Sequence, residues 1–325
     1  MPKIAIIGTG LIGGSLGLAI KKAGISAEIV GTSRNHGNAN YARKIGAIDR
    51  AVRTAAEASG GADLVVIATP PTSVRAVFQE ISPHLRPDCI VTDVTSTKAQ
   101  VIAWAEELLP ENVHFVGGHP MAGREKGGIR AADANLLNGC IYVIAPGRFA
   151  HGEAVKAIVN LVTAIGCRPR FVDPVEHDAF VAGISHLPFM LSTALINATT
   201  HNESWREMSP LAASGYRDVS RLASGDPAMH AGICATNSQS IIRWIDAYIE
   251  ELRTLRESLT NDCDKLEDTF IQAKAARDRW LVKPEMDEEL PVPEIESSAD
   301  QMSSILFGHF KLPQFRRDPG EKKEK

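Results

Sequence analysis

Apolar residues in the first half of the chain come in short runs separated by amphipathic stretches, an alternation that predicts strands and helices in turn. Compact runs at 3–7, 28–31, 64–68, 90–93, 113–116, 141–145 and 168–172 read as strands, with helical spacing between most of them, as at 16–22 and 99–108. Strands linked through helices favour parallel pairing, because each crossover returns the chain to the same end of the sheet. After Asp173-Pro174 the strand signal stops. Helices are expected over about 175–202 and 227–274 or beyond, with a shorter piece near Leu211. The prediction is an α/β domain with a mostly parallel, doubly wound sheet over residues 1–173, then an all-α domain over 174–283. Ile184, Leu187, Met190, Leu191 and Leu195 give those helices more apolar surface than one small layer buries, which points to a second subunit and a homodimer. Pro, Glu, Asp, Ser and Lys dominate 284–325, expected to be a largely disordered tail, although 302–315 is apolar enough to dock.

The first strand breaks into Gly8-Thr9-Gly10-Leu11-Ile12-Gly13, and a helix follows. Strand, GxGxxG and helix in that order form the dinucleotide fingerprint of a Rossmann-like domain. Gly8 allows the tight turn, Gly10 a close approach to pyrophosphate, and Gly13 close packing of helix on strand. The N–H groups of Leu11 and Ile12 lie at the helix start, where an anion binds. An NAD site usually ends its second strand with Asp or Glu, but this chain has Thr32-Ser33-Arg34-Asn35. Without that carboxylate nothing repels a 2′-phosphate, and Ser33 and Arg34 can donate to it, so NADP is expected over NAD. Thr69 and Pro70 close the third strand where the cofactor would lie.

Four further places carry candidate chemistry. His119, in Val116-Gly117-Gly118-His119-Pro120-Met121-Ala122-Gly123, is expected at the carboxyl end of a parallel strand, as ligand or as a histidine satisfying a loop carbonyl. Ser96, in Thr92-Asp93-Val94-Thr95-Ser96-Thr97-Lys98, is expected at a helix start, where it can cap the helix and orient an imidazole as well. In Ser185-His186-Leu187-Pro188 the proline predicts a kink and a freed carbonyl beside His186, a core histidine or a ligand. Arg217 and Arg221, four residues apart, can share a helical face and bind a carboxylate bidentately, or pair with Asp218.

Composition narrows the classes. A chain of 325 residues with 44% hydrophobic and 23% charged residues has the make-up of an ordinary soluble two-domain protein. A net charge of −4 gives no sign of a nucleic-acid partner. Five scattered cysteines without a CxxC pair read as reduced thiols. Neither a signal peptide nor an apolar stretch near the roughly 20 residues of a membrane span is evident, so no membrane partner and a cytoplasmic location are expected.

In order from Lys3 to about Lys283, these motifs, with Gly215-Tyr216-Arg217-Asp218-Val219-Ser220-Arg221, resemble the prephenate and arogenate dehydrogenases of tyrosine biosynthesis. The resemblance implies a Rossmann domain joined to a helical dimerisation domain, with the active site in the cleft between them. It places the catalytic histidine at His119, its partner serine at Ser96 and the arginine for the ring carboxylate at Arg221, with His186 and Arg217 as further substrate ligands. Prephenate-using members often carry a histidine after the proline where this chain has Phe189, so the expected substrate is arogenate, used with NADP. The implied reaction is hydride loss from C4, departure of carbon dioxide and aromatisation to tyrosine, with no need of a metal or a Schiff-base lysine. No βαββαβ pattern follows Pro284, so the regulatory domain of some relatives is not expected. The alternatives are prephenate as substrate, another reductase of the same plan, or a non-catalytic NADP sensor. Such reductases generally use a lysine in the helical domain, and none falls between Lys156 and Lys265.

Overall fold

The computed structural model describes residues 1–124, 126–147, 150–261 and 264–282. The first part of the chain runs β1 (Lys3–Ile7), α1 (Leu11–Lys22), β2 (Glu28–Thr32), α2 (His36–Lys44), β3 (Arg50–Ala51), α3 (Ala55–Ser59), β4 (Leu64–Ile67) and α4 (Pro71–Ile81). It continues with β5 (Ile90–Asp93), α5 (Ala99–Leu108), β6 (His114–Pro120), β7 (Ile141–Pro146), α6 (Gly152–Ala164) and β8 (Arg168–Phe171). The strands form one sheet in the order β3-β2-β1-β4-β5-β6-β7-β8, parallel except between β6 and β7. Alternate side chains enter two cores: Ile4, Ile6, Ile29, Val66 and Ile144 on one face, Ala5, Ile7, Val30, Val65, Ile67 and Val91 on the other. This is the expected doubly wound α/β sheet. Strand order reverses at β1, so the crevice beyond the ends of β1 and β4 is the place for a ligand.

Two boundaries differ from the sequence expectation. The first helix begins at Leu11, and Gly13, Gly14 and Gly17 lie inside it and are buried. Glycine disfavours a helix interior, but a Cβ at Gly13 would strike the Gly8 carbonyl and one at Gly17 the Ala47 carbonyl, so packing overrides propensity. The strand expected to stop at residue 116 runs on to Pro120 because β7 supplies an antiparallel partner, with His119 opposite Val143. His119 therefore lies within the strand.

The helical part contains α7 (Pro174–Val181), α8 (Leu187–Thr200), α9 (Trp205–Met208), α10 (Ser214–Ser220), α11 (Pro227–Thr236), α12 (Ser238–Asn261) and α13 (Asp264–Val282). Between α7 and α8 the backbone makes a π turn, Ala182–His186, in which the Leu187 N–H bonds to the Ala182 carbonyl. Pro188, which has no N–H, follows directly; the expected irregularity takes this form. The single helix expected over 227–274 is broken at Asn237, where φ is −138°.

Residues 1–241 form one compact unit. Thr97 bonds Thr236 at 2.9 Å, a Cβ at Gly232 would stand 3.4 Å from Pro71, and α7 is tied to α5 through Asp178. A second unit begins at Ile242; Trp244, Leu252, Phe270 and Trp280 are exposed in it. By length and composition the segment Pro174–Thr200 is apolar enough to cross a membrane, contrary to the sequence expectation, but His177, Asp178 and His186 within it are buried in the protein. The expectations for the tail, its 302–315 segment and the regulatory domain lie outside the described residues.

Candidate active site

The fingerprint builds a cradle at the end of β1. Gly8 adopts φ +106°, and a Cβ there would collide with the Ala68 carbonyl at the end of β4. Gly10, at the N-cap of α1, has open space where a Cβ would stand, and no acid occupies the first turn of that helix. The N–H groups of Leu11, Ile12 and Gly13 therefore head a helix built to receive an anion. The hydroxyls of Thr9 and Thr69, on either side of the crevice, are buried without a partner among the described residues. Open space, unpaired hydroxyls and the helix N-terminus fit a dinucleotide. At the end of β2, Ser33 is half-buried and Arg34 exposed, while Asn35 caps α2 through the Gly37 N–H at 2.9 Å. Pro70 is exposed beside Thr69.

His119 is almost fully buried. Its Nδ1 lies 2.9 Å from His177 Nε2, and His177 Nδ1 lies 2.8 Å from Asp178 Oδ1. Asp178, itself buried, also accepts the backbone N–H groups of Lys98 at 2.7 Å and Ala99 at 3.0 Å, which begin α5. The carboxylate thus caps one helix from another and holds His177.

This chain of bonds fixes the tautomers. A carboxylate only accepts, so His177 donates from Nδ1; its Nε2 then carries a lone pair and accepts the Nδ1 proton of His119. The lone pair of His119 is left on Nε2, which has no hydrogen bond among the described residues. Burial above all, with further contributions from His177, Lys98 and His186, holds this imidazole well below the ordinary histidine range. At neutral pH it is an uncharged base.

Ser96 is not in the expected position. It is half-buried, the N-cap position of α5 is Lys98, and the capping oxygens come from Asp178. No hydrogen bond joins Ser96 to His119; His177 occupies Nδ1.

His186 is fully buried in the π turn. Its Nδ1 lies 3.4 Å from Asn237 Nδ2, which donates to the Asp178 carbonyl at 2.7 Å, and its Nε2 is buried without a partner among the described residues. Burial lowers its pKa to about 4. Phe189, one turn on, stacks on His230 with centroids 4.1 Å apart and planes 4° from parallel. Arg217 and Arg221 are exposed, Arg217 in α10 and Arg221 in the turn after it; Tyr216–Thr199 at 2.7 Å and Ser192–Val219 at 2.6 Å tie this segment to α8.

Sequence reasoning missed His177 and Asp178. The available signal was a His-Asp pair followed by the apolar run Ala179, Phe180 and Val181, since buried charge requires a partner.

A Rossmann sheet with this cradle, followed by a helical half, defines an NAD(P)-dependent dehydrogenase. The sequence profile for the prephenate dehydrogenase nucleotide-binding domain matches residues 16–170, and that for the prephenate dehydrogenase dimerization domain matches 173–272. The chain belongs to the prephenate dehydrogenase family. It is 35% identical to a prephenate dehydrogenase of Bacillus subtilis over 280 residues, 85% of this chain and 75% of that protein. Among solved structures, prephenate dehydrogenase from A. aeolicus in complex with hydroxyphenyl propionate and NAD+ superposes with a TM-score of 0.80 at 26% identity, covering 86% of this chain and 98% of that one. Synechocystis arogenate dehydrogenase gives 0.71 at 29% identity, covering 86% and 99%.

Proposed function

We propose that this enzyme oxidises and decarboxylates arogenate to tyrosine with NADP, using His119 as the base. The observation that carries the reading is the Asp178–His177–His119 series, which leaves on a buried imidazole an uncharged Nε2 that is unpaired among the described residues. The cradle of Gly8, Gly10, Leu11, Ile12 and Gly13, with Thr69 and Pro70 opposite, would hold the dinucleotide, and Ser33 and Arg34 its 2′-phosphate. When bound, the nicotinamide supplies the acceptor for hydride from C4.

His119 Nε2 takes the proton of the C4 hydroxyl as the carbonyl forms, and the Asp178 carboxylate, acting through the His177 ring, stabilises the resulting imidazolium. As carbon dioxide leaves C1, the electrons of the broken C–C bond pass through the ring to the C4 oxygen, and the phenolate retrieves the proton from His119. The base is restored in each turnover. Arg221, with Arg217 beside it, pairs with the ring carboxylate.

Phe189 favours arogenate. Prephenate is the second reading, favoured by the names of the B. subtilis and A. aeolicus relatives. A cytoplasmic homodimer is the proposed setting: the profile over 173–272 describes a dimerization domain, and Val175, Phe180 and Ile184 expose apolar surface within it.

Initial velocities with arogenate and prephenate, each with NADP and NAD, test the proposal. The expected result is turnover with arogenate and NADP well above the other three pairs. A prephenate preference removes the reading of Phe189; silence in all four, with cofactor bound, removes the reaction.

A further inference from the structure

Lys98 and Asp93 are both completely buried, and the ammonium is paired with the carboxylate. Lysine is almost never buried to this degree, because removing its charge from water is costly even when a partner is present; an apolar side chain of the same length would fill the space without that penalty. The pair therefore calls for a role beyond filling the core.

Its connections converge on His119. Asp93 Oδ1 accepts the N–H of Gly118, the residue before His119, at 3.1 Å. Asp93 Oδ2 takes the Thr95 N–H at 3.0 Å together with the Thr95 hydroxyl and Lys98 Nζ. The stem of Lys98 runs beside β6: a Cβ at Gly117 would stand 3.3 Å from Lys98 Cδ, and one at Gly118 would stand 2.6 Å from the Asp93 carbonyl oxygen. Gly117 thus leaves room for the Lys98 stem, and Gly118 lets β6 approach the backbone at Asp93. From the other side, the Lys98 backbone N–H donates to Asp178 Oδ1, the oxygen that holds His177. One residue is bonded through its side chain to the support of His119 and through its backbone to the anchor of the histidine's partner.

We propose that Lys98, through its buried ion pair with Asp93 and its backbone bond to Asp178, is a positioning residue that holds His119 and its partner His177 in place. This rests on the reading of His119 as the base. The groups facing the imidazole are Lys98 from the start of α5 with Asp93 from the end of β5, His177 with Asp178 from α7, and His186 from the π turn. Of the ion pair, the ammonium acts to disfavour protonation of His119.

The test uses the full-length chain and three proteins: the parent, Lys98→Met, and the double variant Asp93→Asn/Lys98→Met, which leaves no lone buried charge and keeps an acceptor for the Gly118 N–H. Histidine ring resonances are followed by NMR from pH 4 to 8, with His119 assigned by its disappearance in His119→Gln, and kcat/KM is measured over the same range. The expected result in the double variant is a raised His119 midpoint, with the acid limb of kcat/KM moving equally in the same direction and cofactor affinity unchanged. If Lys98→Met does not fold, the double variant carries the test. An unmoved midpoint and acid limb in a variant that has only lost thermal stability would overturn the proposal. Because the NMR midpoint needs no substrate, a midpoint that shifts in a chain that turns over neither arogenate nor prephenate would sustain the ion-pair inference while removing the reaction.

Discussion

Asp178→Asn isolates the charge at the far end of the histidine series. The two hydrogen bonds in series, 2.9 and 2.8 Å, with the His177 ring between them, place the carboxylate about 8 Å from the His119 ring. When His119 accepts the substrate proton, the attraction across that distance is about 2 kcal/mol at an effective dielectric constant near 20. Removing the charge should therefore lower kcat about 30-fold. The neutral amide has a second choice to make. If its NH2 turns toward the Ala99 N–H, one capping bond is lost, at about 1 kcal/mol of stability. If it turns toward His177, both imidazoles exchange tautomers and Nε2 of His119 carries a proton; a comparable exchange in Ser-His-Asp hydrolases costs about 10⁴ in kcat. The expected fall thus lies between about 30- and 10⁴-fold. Steady-state kinetics with saturating cofactor, a separate cofactor titration and a melting curve form the assay. A kcat within threefold of the parent would refute the series as a charge and tautomer device, and an equal loss of cofactor affinity would show that the variant had disturbed the cradle instead.

Arg34→Ala should raise the KM for NADP by about 10- to 150-fold, the loss of a charge-assisted bond of about 1.5–3 kcal/mol, and leave that for NAD unchanged; equal effects on both cofactors would remove the 2′-phosphate assignment. Arg221→Ala should raise the substrate KM far more than it lowers kcat, because a carboxylate clamp binds ground state and transition state alike; a fall in kcat alone would place Arg221 among groups acting only on the transition state. Stability should fall on acidification. Burial holds His186 at about 4 when folded, whereas the unfolded chain titrates near 6.5, so between these values only the unfolded chain takes the proton. This contribution is full above pH 6.5, is lost as pH falls toward 4, and amounts to about 2 kcal/mol by pH 5. Urea unfolding at pH 7 and pH 5 measures it, and His186→Asn should show a smaller difference than the parent; an identical difference would assign the acid sensitivity elsewhere.

The parts legible in the sequence are those whose requirements are local. Gly8 needs a positive φ and Gly13 a vacant Cβ, and both demands leave a mark at fixed spacing wherever the strand and helix meet. His119 stood out because glycines and a proline interrupt an apolar run, yet the same residues suggested a turn where the chain stays extended, since the decisive neighbour, β7, returns antiparallel more than twenty residues later. Ser96 drew attention as a local cap, but the capping oxygens arrive from Asp178, 80 positions from the Lys98 N–H. His177 is 58 positions from His119 and shares no motif with it. Its role follows only once α7 is docked on α5, and docking is a consequence of the buried faces as a whole. Once it is in place the chemistry is forced: an acceptor-only carboxylate, then an imidazole with one donor and one acceptor, then a second imidazole, permits a single arrangement of protons while all three are held in their ordinary charge states. Tertiary contact thus contributes what no local pattern can record, the direction in which His119 presents its lone pair.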